Sequence, residues 1–425
     1  VTLDLDEHLF RRESGRMVAA LTRLFGVHNL ALAEDVVQDA FCRAIEVWKV
    51  RGVPENPSAW LMMTAKNRAL DVVRRERTAR TFAPELGRML ESEWTAAPVV
   101  AEAFAAHTIR DEQLRMMFSC CHPRLGEEVQ VALILNILCG FGASEIAAAF
   151  LARRSAIEKR IARGKKRLAG SKRLFDLGDA EFASRLSSVR RALYLLFNEG
   201  YHGASSEEAV RGDLCAEAIR LTALLREYPP AATPATDALA ALMCLHAARL
   251  PARVDAAGDL QSLFDQDRSK WDARLLAEGL AFFERSASGS ELTPYHLEAA
   301  IAATHASARS VNETDWSAIV ALYDRLMKIA PSPVVALNRA IAVAQRDGAE
   351  RGLVALYAIE DREQLEDYPF YAAALGELEL RSENFEAAHA HFSHALALAR
   401  NATERRFFEK RLRACDAGAR AESGA

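Results

Sequence analysis

The sequence predicts an all-α fold, and three observations carry that prediction. Half of the 425 residues are hydrophobic, Ala, Leu, Glu and Arg are abundant, and β-branched runs are scarce, a composition that favours helix packed on helix. Apolar residues recur three and four apart over long stretches, the period of an amphipathic helix. Clusters of glycine and proline, such as "RGVPENP" at 51–57, punctuate these stretches where one helix stops and another begins. The length predicts two or three compact units with separate cores.

Helical spacing runs from about residue 8 to 79 through "RMVAALTRLF", "AEDVVQDAFCRAIEVW" and "NPSAWLMMTAKNRALDVVRRER", so residues 1–79 read as one small helical domain. Residues 80–110 carry two prolines, small residues and several glutamates without a sustained apolar stripe, and read as a linker. A second helical unit follows over 111–173, and an alanine-rich helical extension over 174–425. In the extension, Leu375, Gly376, Phe385, Ala388, Phe392 and Ala395 stand at the spacings of a tetratricopeptide repeat. In that pattern small residues let two antiparallel helices approach and aromatics fill the seam. Ala340, Gly352 and Leu356 hold the equivalent positions one repeat earlier, and Ser307, Ile319, Tyr323 and Pro331 those of a repeat before that. The repeats span about 300 to 402; the stretch 175–300 has no assignable register.

The longest apolar run, "VALILNILCGF", is too short for a bilayer, and the first residues are acidic where a signal peptide is basic, so the expectation is a cytoplasmic protein without a membrane partner. Seven cysteines, at 42, 120, 121, 139, 215, 244 and 415, do not form a secreted disulfide framework. Cys120, Cys121 and His122 in "FSCCHPRLGEE", and Asn198, Glu199 and His202 in "LFNEGYHG", invite a metal reading. Adjacent cysteines share one zinc tetrahedron poorly, however, and no second Cys-x-x-Cys or His-x-x-x-His completes a set. The cysteines read as small buried hydrophobes, and Gly200 and Gly203 as a helix end or a tight crossing. There is no phosphate-cradling glycine loop and no nucleophile elbow, so the expectation is a non-enzyme with no metal and no cofactor.

Charge divides unevenly. Residues 1–173 hold 27 Lys and Arg against 21 Asp and Glu, and residues 174–425 hold 27 against 37, about +6 and −10. Such a split suggests one part facing nucleic acid and another facing something else. The basic residues are concentrated in "GASEIAAAFLARRSAIEKRIARGKKRLAG", where 143–173 carries ten Lys and Arg against Glu145 and Glu158. A short helix from Ala143 to Phe150, a turn, and a longer helix from Ser155 to Leu168 with Ile157, Ile161 and Leu168 on one face follow helix-turn-helix logic. In it Ala147 and Ala148 permit a close crossing and Ser155 reads as the N-cap. Arg163, Lys165, Lys166 and Arg167, toward the C-terminal end, stand where the backbone is touched and, with Arg153, Arg154 and Arg160, supply a phosphate-neutralising surface, while Ser155, Glu158 and Lys159 stand where base edges are reached. Glu158 either accepts from a cytosine amino group or steers Arg154 or Arg163.

Duplex binding leaves the earlier helix unexplained. It joins Trp60 and Met62 to Lys66, Asn67, Arg68, Asp71, Arg74, Arg75 and Arg77. Aromatics beside basic and amide side chains suit single-stranded DNA, whose unpaired bases sit in apolar pockets while the backbone is neutralised. On the preceding helix Asp35, Gln38, Asp39 and Arg43 form a polar face adjoining Val36, Val37, Phe41 and Ile45, which suits a partner helix.

In these segments residues 8–172 resemble a bacterial RNA polymerase sigma factor of the extracytoplasmic-function group. "AEDVVQDAFCRAIEVW" resembles the region-two helix that binds the polymerase clamp helices, which implies core-polymerase contacts at Asp35, Val36, Gln38, Asp39, Phe41 and Arg43. "NPSAWLMMTAKNRALDVVRRER" resembles the stretch that melts and reads the minus-ten promoter element. Residues 143–168 resemble the region-four reader of the minus-thirty-five element. The recognition helix departs from the group at Ala156 and Glu158, where threonine and a basic residue are common. The extension resembles that of a subgroup with a long tetratricopeptide-like C-terminal part, in which "YLLFNEGYHGA" is a familiar element, and implies a further protein partner. The competing reading is a helix-turn-helix regulator with a repeat-built sensor that never joins polymerase.

Overall fold

Among the described residues, 7–25, 29–79, 106–122, 124–150, 152–170, 179–202, 210–255 and 259–423, the computed structural model forms helices and turns with no β-sheet. One isolated antiparallel bridge joins Val254 to Leu260. No helix among these residues is long and apolar enough to cross a membrane. The chain divides into two compact units, Val1–Leu196 with Ala223–Ala231, and Phe197–Thr222 with Ala232–Ala425.

The first unit opens with α1 (Glu7–Phe25), α2 (Leu30–Arg51) and α3 (Pro57–Ala79). Gly52 ends α2 at φ +79°, its N–H returning to the Trp48 carbonyl at 2.9 Å, a backbone state that glycine adopts without strain. Asn56 Oδ1 accepts from the Ala59 N–H at 3.0 Å and Pro57 takes the first helical position, so α3 starts where its chemistry allows. Ala33, Ala40 and Ala44 of α2 and Ala65 and Ala69 of α3 are buried, so these helices approach closely. Trp48, also buried, fills the seam, with Trp60 edge-on at 5.3 Å and Phe10 at 6.4 Å.

The chain continues with α4 (Ala106–Cys120), α5 (Glu127–Ile137), α6 (Ala143–Ala149) and α7 (Arg154–Ala169). Residues 80–105 of the expected linker lie outside the described residues, and 106–110 already belong to α4. The first unit also runs past residue 173 into α8 (Asp179–His202). Phe182 packs edge-on against Phe118 at 4.6 Å, and the buried Arg185 donates to the Phe118 carbonyl at 3.0 Å. These contacts are set by tertiary packing and leave no mark in the local pattern. Gly164 lets α7 lie against α5, since a Cβ there would stand 2.8 Å from Leu133 Cδ1.

The second unit is built around α10 (Pro234–Ala247), which follows α9 (Gly212–Glu227) and is capped by Thr233 with Pro234 next to it. Eleven of its 14 residues are buried, the signature of a helix surrounded on all sides. Short α11 (Leu250–Arg253) leads to α12 (Ala273–Ser286) and α13 (Pro294–Ser307), which flank α10. Sequential packing of neighbours then runs through α14 (Trp316–Ile329), α15 (Pro333–Asp347), α16 (Ala349–Tyr357), α17 (Pro369–Arg381), α18 (Phe385–Ala397) and α19 (Ala402–Ser423). Asp315 caps α14, and Ser332 followed by Pro333 caps α15. Leu375, Ala388, Phe392 and Ala395 are buried, and the Phe392 ring lies 3.1 Å from where a Cβ on Gly376 would stand. Ala340, Gly352 and Leu356 are buried one helix pair earlier, and Ile319 before them, whereas Ser307 and Pro331 are exposed.

A methyl on Gly352 would collide with Ala344 and come within 2.8 Å of Leu378. Gly to Ala in an open helix stabilises by about 1 kcal/mol. Here Gly352→Ala is expected to destabilise by about 1–3 kcal/mol through overpacking, measured by urea unfolding, so the sign of the change reports the crossing.

Candidate nucleic-acid interface

The Trp48–Trp60 contact sets how α3 lies on α2, and with it which side chains share the surface between them. Asp39, Cys42, Arg43 and Glu46 of α2 and Trp60, Thr64, Asn67 and Arg68 of α3 line one open groove of about 530 Å³. These residues stand three and four apart on facing helices, so one turn after another presents to the same space. Trp60 is half-buried, its ring resting on Trp48, while Asn67 and Arg68 are exposed. Thr64 donates to the Trp60 carbonyl at 2.9 Å, which turns its methyl outward along the helix.

Electrostatically the groove is balanced by weak pairs. Arg68 lies 3.5 Å from Asp39 and Arg43 3.5 Å from Glu46, all four side chains being substantially exposed. Pairs of this kind contribute about 0–1 kcal/mol and exchange readily for a phosphate.

The sequence-derived contacts on α2 separate into two groups. Asp35, Gln38, Asp39 and Arg43 are exposed, as a partner face requires. Val36 is buried at 3% exposure and Phe41 is half-buried edge-on to Phe10 at 4.7 Å. These two support the surface from beneath. Ile45, expected beside the polar face, is exposed at 50%, and Val50, which the sequence analysis did not name, is exposed at 84%. On α3, Met63 is exposed and Met62 half-buried, so the outward methionine is the neighbour of the one singled out. Lys66 is half-buried and Asp71 exposed. Helix α3 covers Arg74, Arg75 and Arg77, whose side chains lie outside the described residues. Cys42, Glu46 and Thr64 belong to the groove as well; only the pairing of α2 with α3 reveals them.

The second basic surface is α7. Ile157, Ile161, Gly164 and Leu168 are buried against the rest of the unit, which leaves Arg153, Arg154, Ser155, Glu158, Lys159, Arg163 and Lys166 exposed on the opposite side. Ser155 does not cap the helix. Arg153 holds the cap position with extended backbone and no side-chain cap bond, and Ser155 lies inside the first turn. Glu158 accepts from Arg154 at 2.8 Å, the steering role rather than an unpaired carboxylate. Three cations are committed to the protein: Arg160 to Glu128 at 2.8 Å, Lys165 to Glu34 at 2.6 Å, and Arg167 to the Arg124 carbonyl at 2.7 Å. Arg160, Lys165 and Arg167, all three expected on phosphate, are therefore tied to the protein. Arg153, Lys159, Arg163 and Lys166 have no carboxylate partner among the described residues and form the available cationic face. Ala147 of α6 is buried, while the Ala148 side chain lies outside the described residues.

Lys165 joins α7 to α2 through Glu34, and Arg11 of α1 donates to Glu145 of α6 at 2.7 Å while lying over Phe141. Gly15 of α1 meets the Leu138 carbonyl so closely that no side chain fits there. Groove and cationic face thus belong to one packed body.

Neither metal candidate assembles a ligand set; no group of three His, Cys, Asp or Glu lies close enough to hold an ion among the described residues. His122 Nδ1 instead accepts from the Arg124 N–H at 3.2 Å. Glu199 is buried and Asn198 half-buried, and the His202 side chain lies outside the described residues. Gly200 sits where a Cβ would stand 2.8 Å from the Arg211 carbonyl and from Cys215, a tight helix crossing.

Residues 9–79, which contain the groove, match the family model described as Sigma-70 region 2. Residues 185–287 match the model of a family of unknown function, DUF6596. An uncharacterized protein of Rhizobium meliloti (strain 1021) is 38% identical over 396 residues, covering 93% of this chain and 92% of that protein.

Cys42 is the exposed thiol, whereas burial pushes Cys120 well above the usual thiol range and Cys121 up to about 12. Iodoacetamide at pH 8 is expected to modify Cys42 at least about ten-fold faster than Cys120 or Cys121, mapped by peptide mass spectrometry. Equal rates in the folded protein would contradict this placement of the groove wall.

Proposed function

From the sigma-70 region 2 domain that residues 9–79 match, we propose that the chain is a sigma-70 family transcription initiation factor of the extracytoplasmic-function group with a regulatory helical extension. In this reading residues 1–79 are region two. The exposed face of α2, with Asp35, Gln38, Asp39 and Arg43 beside Ile45 and Val50, docks on core RNA polymerase; a polar rim around exposed apolar residues fits a protein interface. The groove between α2 and α3 receives a flipped base of the melted minus-ten strand against Trp60. Asn67 offers hydrogen bonds to its edge, and Arg68 exchanges Asp39 for the backbone phosphate. The pair α6 and α7 is region four, a helix-turn-helix whose Arg153, Lys159, Arg163 and Lys166 neutralise the phosphates of the minus-thirty-five duplex, with Ser155 and the Arg154–Glu158 pair nearest the bases. Residues 174–425 are a tetratricopeptide-like extension that binds a protein partner.

The observation that carries this reading is the groove itself. Within the matched residues, an aromatic ring, an amide and an exchangeable arginine share one open cleft, the combination that holds an unpaired base. Run-off transcription with core polymerase on genomic promoter fragments tests it; absence of any directed start site would overturn it. Trp60→Ala is expected to reduce open-complex lifetime about ten-fold on duplex promoter and to be rescued in part by a pre-melted minus-ten bubble. The double variant Lys159→Ala, Arg163→Ala is expected to weaken promoter binding and to make the slope of log K against log salt shallower by about 2, measured by fluorescence anisotropy. An unchanged slope would remove α7 from the duplex interface.

A further inference from the structure

The second unit contains a cavity of about 680 Å³, a volume suited to a small organic molecule. Its lining includes Arg249, which precedes the short helix α11, Arg253, the last residue of that helix, and His305 of α13. Each of the three side chains is at least nine-tenths buried.

The two arginines are held without a counter-ion. Among the described residues no carboxylate lies within ion-pair distance of either. Arg249 Nε donates to Gln266 Oε1 at 3.3 Å, and Arg253 Nε has no hydrogen-bond partner. Both guanidinium groups lie over the Tyr201 ring, at 5.9 and 4.4 Å, and Arg249 also lies over Trp271 at 5.6 Å. The aromatic faces orient the cations and partly offset their burial, yet they supply no anion and leave Arg253 Nε unused. The acids that line the same cavity do not compensate, because Asp265 and Glu377 are both engaged by Arg411 at 3.3 Å. His305 adds no positive charge at neutral pH: burial, then Arg249 and Arg268, push its imidazole down to about 3. Its Nδ1 is also without a partner.

A buried cation left without an anion is costly, and proteins ordinarily pair it. The remaining lining joins aromatic and aliphatic side chains, among them Trp316, Ile319 and Phe370, to the amides of Asn338 and Gln345 and to Arg381 and Arg411, the latter already paired with Asp265 and Glu377. We infer that this cavity is a binding site for a small organic oxyanion, a carboxylate or phosphate carried on an aromatic or branched apolar body. The oxyanion lies between Arg249 and Arg253, His305 Nδ1 contacts it when protonated at that nitrogen, and the apolar body fills the space toward Trp316 and Phe370. Nothing in this assignment depends on the transcription reading, since binding is measured without polymerase.

Isothermal titration of the full chain with benzoate, phenyl phosphate and the neutral isostere benzamide tests the inference. Saturable binding of benzoate or phenyl phosphate with a Kd of about millimolar or tighter is expected for ligands of this size, with benzamide at least ten-fold weaker. The tighter of the two anions identifies the head group. Arg253→Gln is expected to weaken the anion at least ten-fold. Should that variant fail to fold, Asn338→Trp decides: Asn338 is exposed on the cavity wall, so the larger side chain obstructs the space while both arginines stay in place, and binding should again be lost. Absence of saturable anion binding, equal affinity for benzamide, or binding retained in a folded Arg253→Gln or Asn338→Trp protein would overturn the assignment.

Discussion

Close approach of helices through alanine and glycine is the constraint on which both compact units rest. The chain has few β-branched residues with which to build sheets, so its apolar surface must be hidden at helix crossings. Ala33, Ala40 and Ala44 of α2 and Ala65 and Ala69 of α3 are buried in the first unit; Ala340, Ala344 and Gly352, then Gly376 and Ala388, are buried in the second. Small residues bring two backbones together but bury little area each. A few large side chains therefore close each seam: Trp48 in the first unit, Leu356, Phe392 and Phe408 in the second. The consequence for function is positional, because a helix seated on small residues has little freedom to rotate, and its outward side chains are held at defined places.

That positional control explains how one unit supplies both a base-sized groove and a cationic face. Trp48 seats Trp60, and Trp60 fixes the register by which Asn67 and Arg68 of α3 share space with Asp39 and Arg43 of α2. On α7 the buried stripe Ile157, Ile161, Gly164 and Leu168 turns the opposite side outward. The basic residues of this helix are then sorted by geometry. Those beside the buried stripe, Arg160 and Lys165, find carboxylates on α5 and α2, while those on the far side, Lys159, Arg163 and Lys166, face solvent. Residues of one chemical type thus divide into structural cations and cations available to phosphate.

The extension manages charge differently. Its exposed arginines pair with nearby acids, as Arg274 with Glu278 and Arg339 with Asp324, the ordinary pattern of a solvated helical surface. Arg249 and Arg253 break that pattern by lying against aromatic rings with no acid beside them among the described residues. A composition with an excess of acidic residues in this half makes the omission more telling, since carboxylates are plentiful elsewhere on the same unit.

By itself the sequence determined the helical class, the punctuation at Gly52 and Pro57, the small and aromatic residues buried at Ala340, Gly352, Leu356, Ala388 and Phe392, and the basic run on α7. All of these are local signals, written as spacing or as the chemistry of one or two residues. Tertiary structure alone decided the rest. It buried Val36 and half-buried Phe41 that a helical wheel had set beside a partner face, and it moved the cap from Ser155 to Arg153. It carried the first unit past residue 173 through Phe182 and Arg185, and it gathered Cys42, Glu46 and Thr64 into the groove. The reason is physical: a period of 3.6 tells which residues share a face, but only the packing of a second helix decides how much of that face remains in water. The cavity around Arg249 and Arg253 is the extreme case, because its walls come from helices separated by more than a hundred residues, and no window of the chain contains them together.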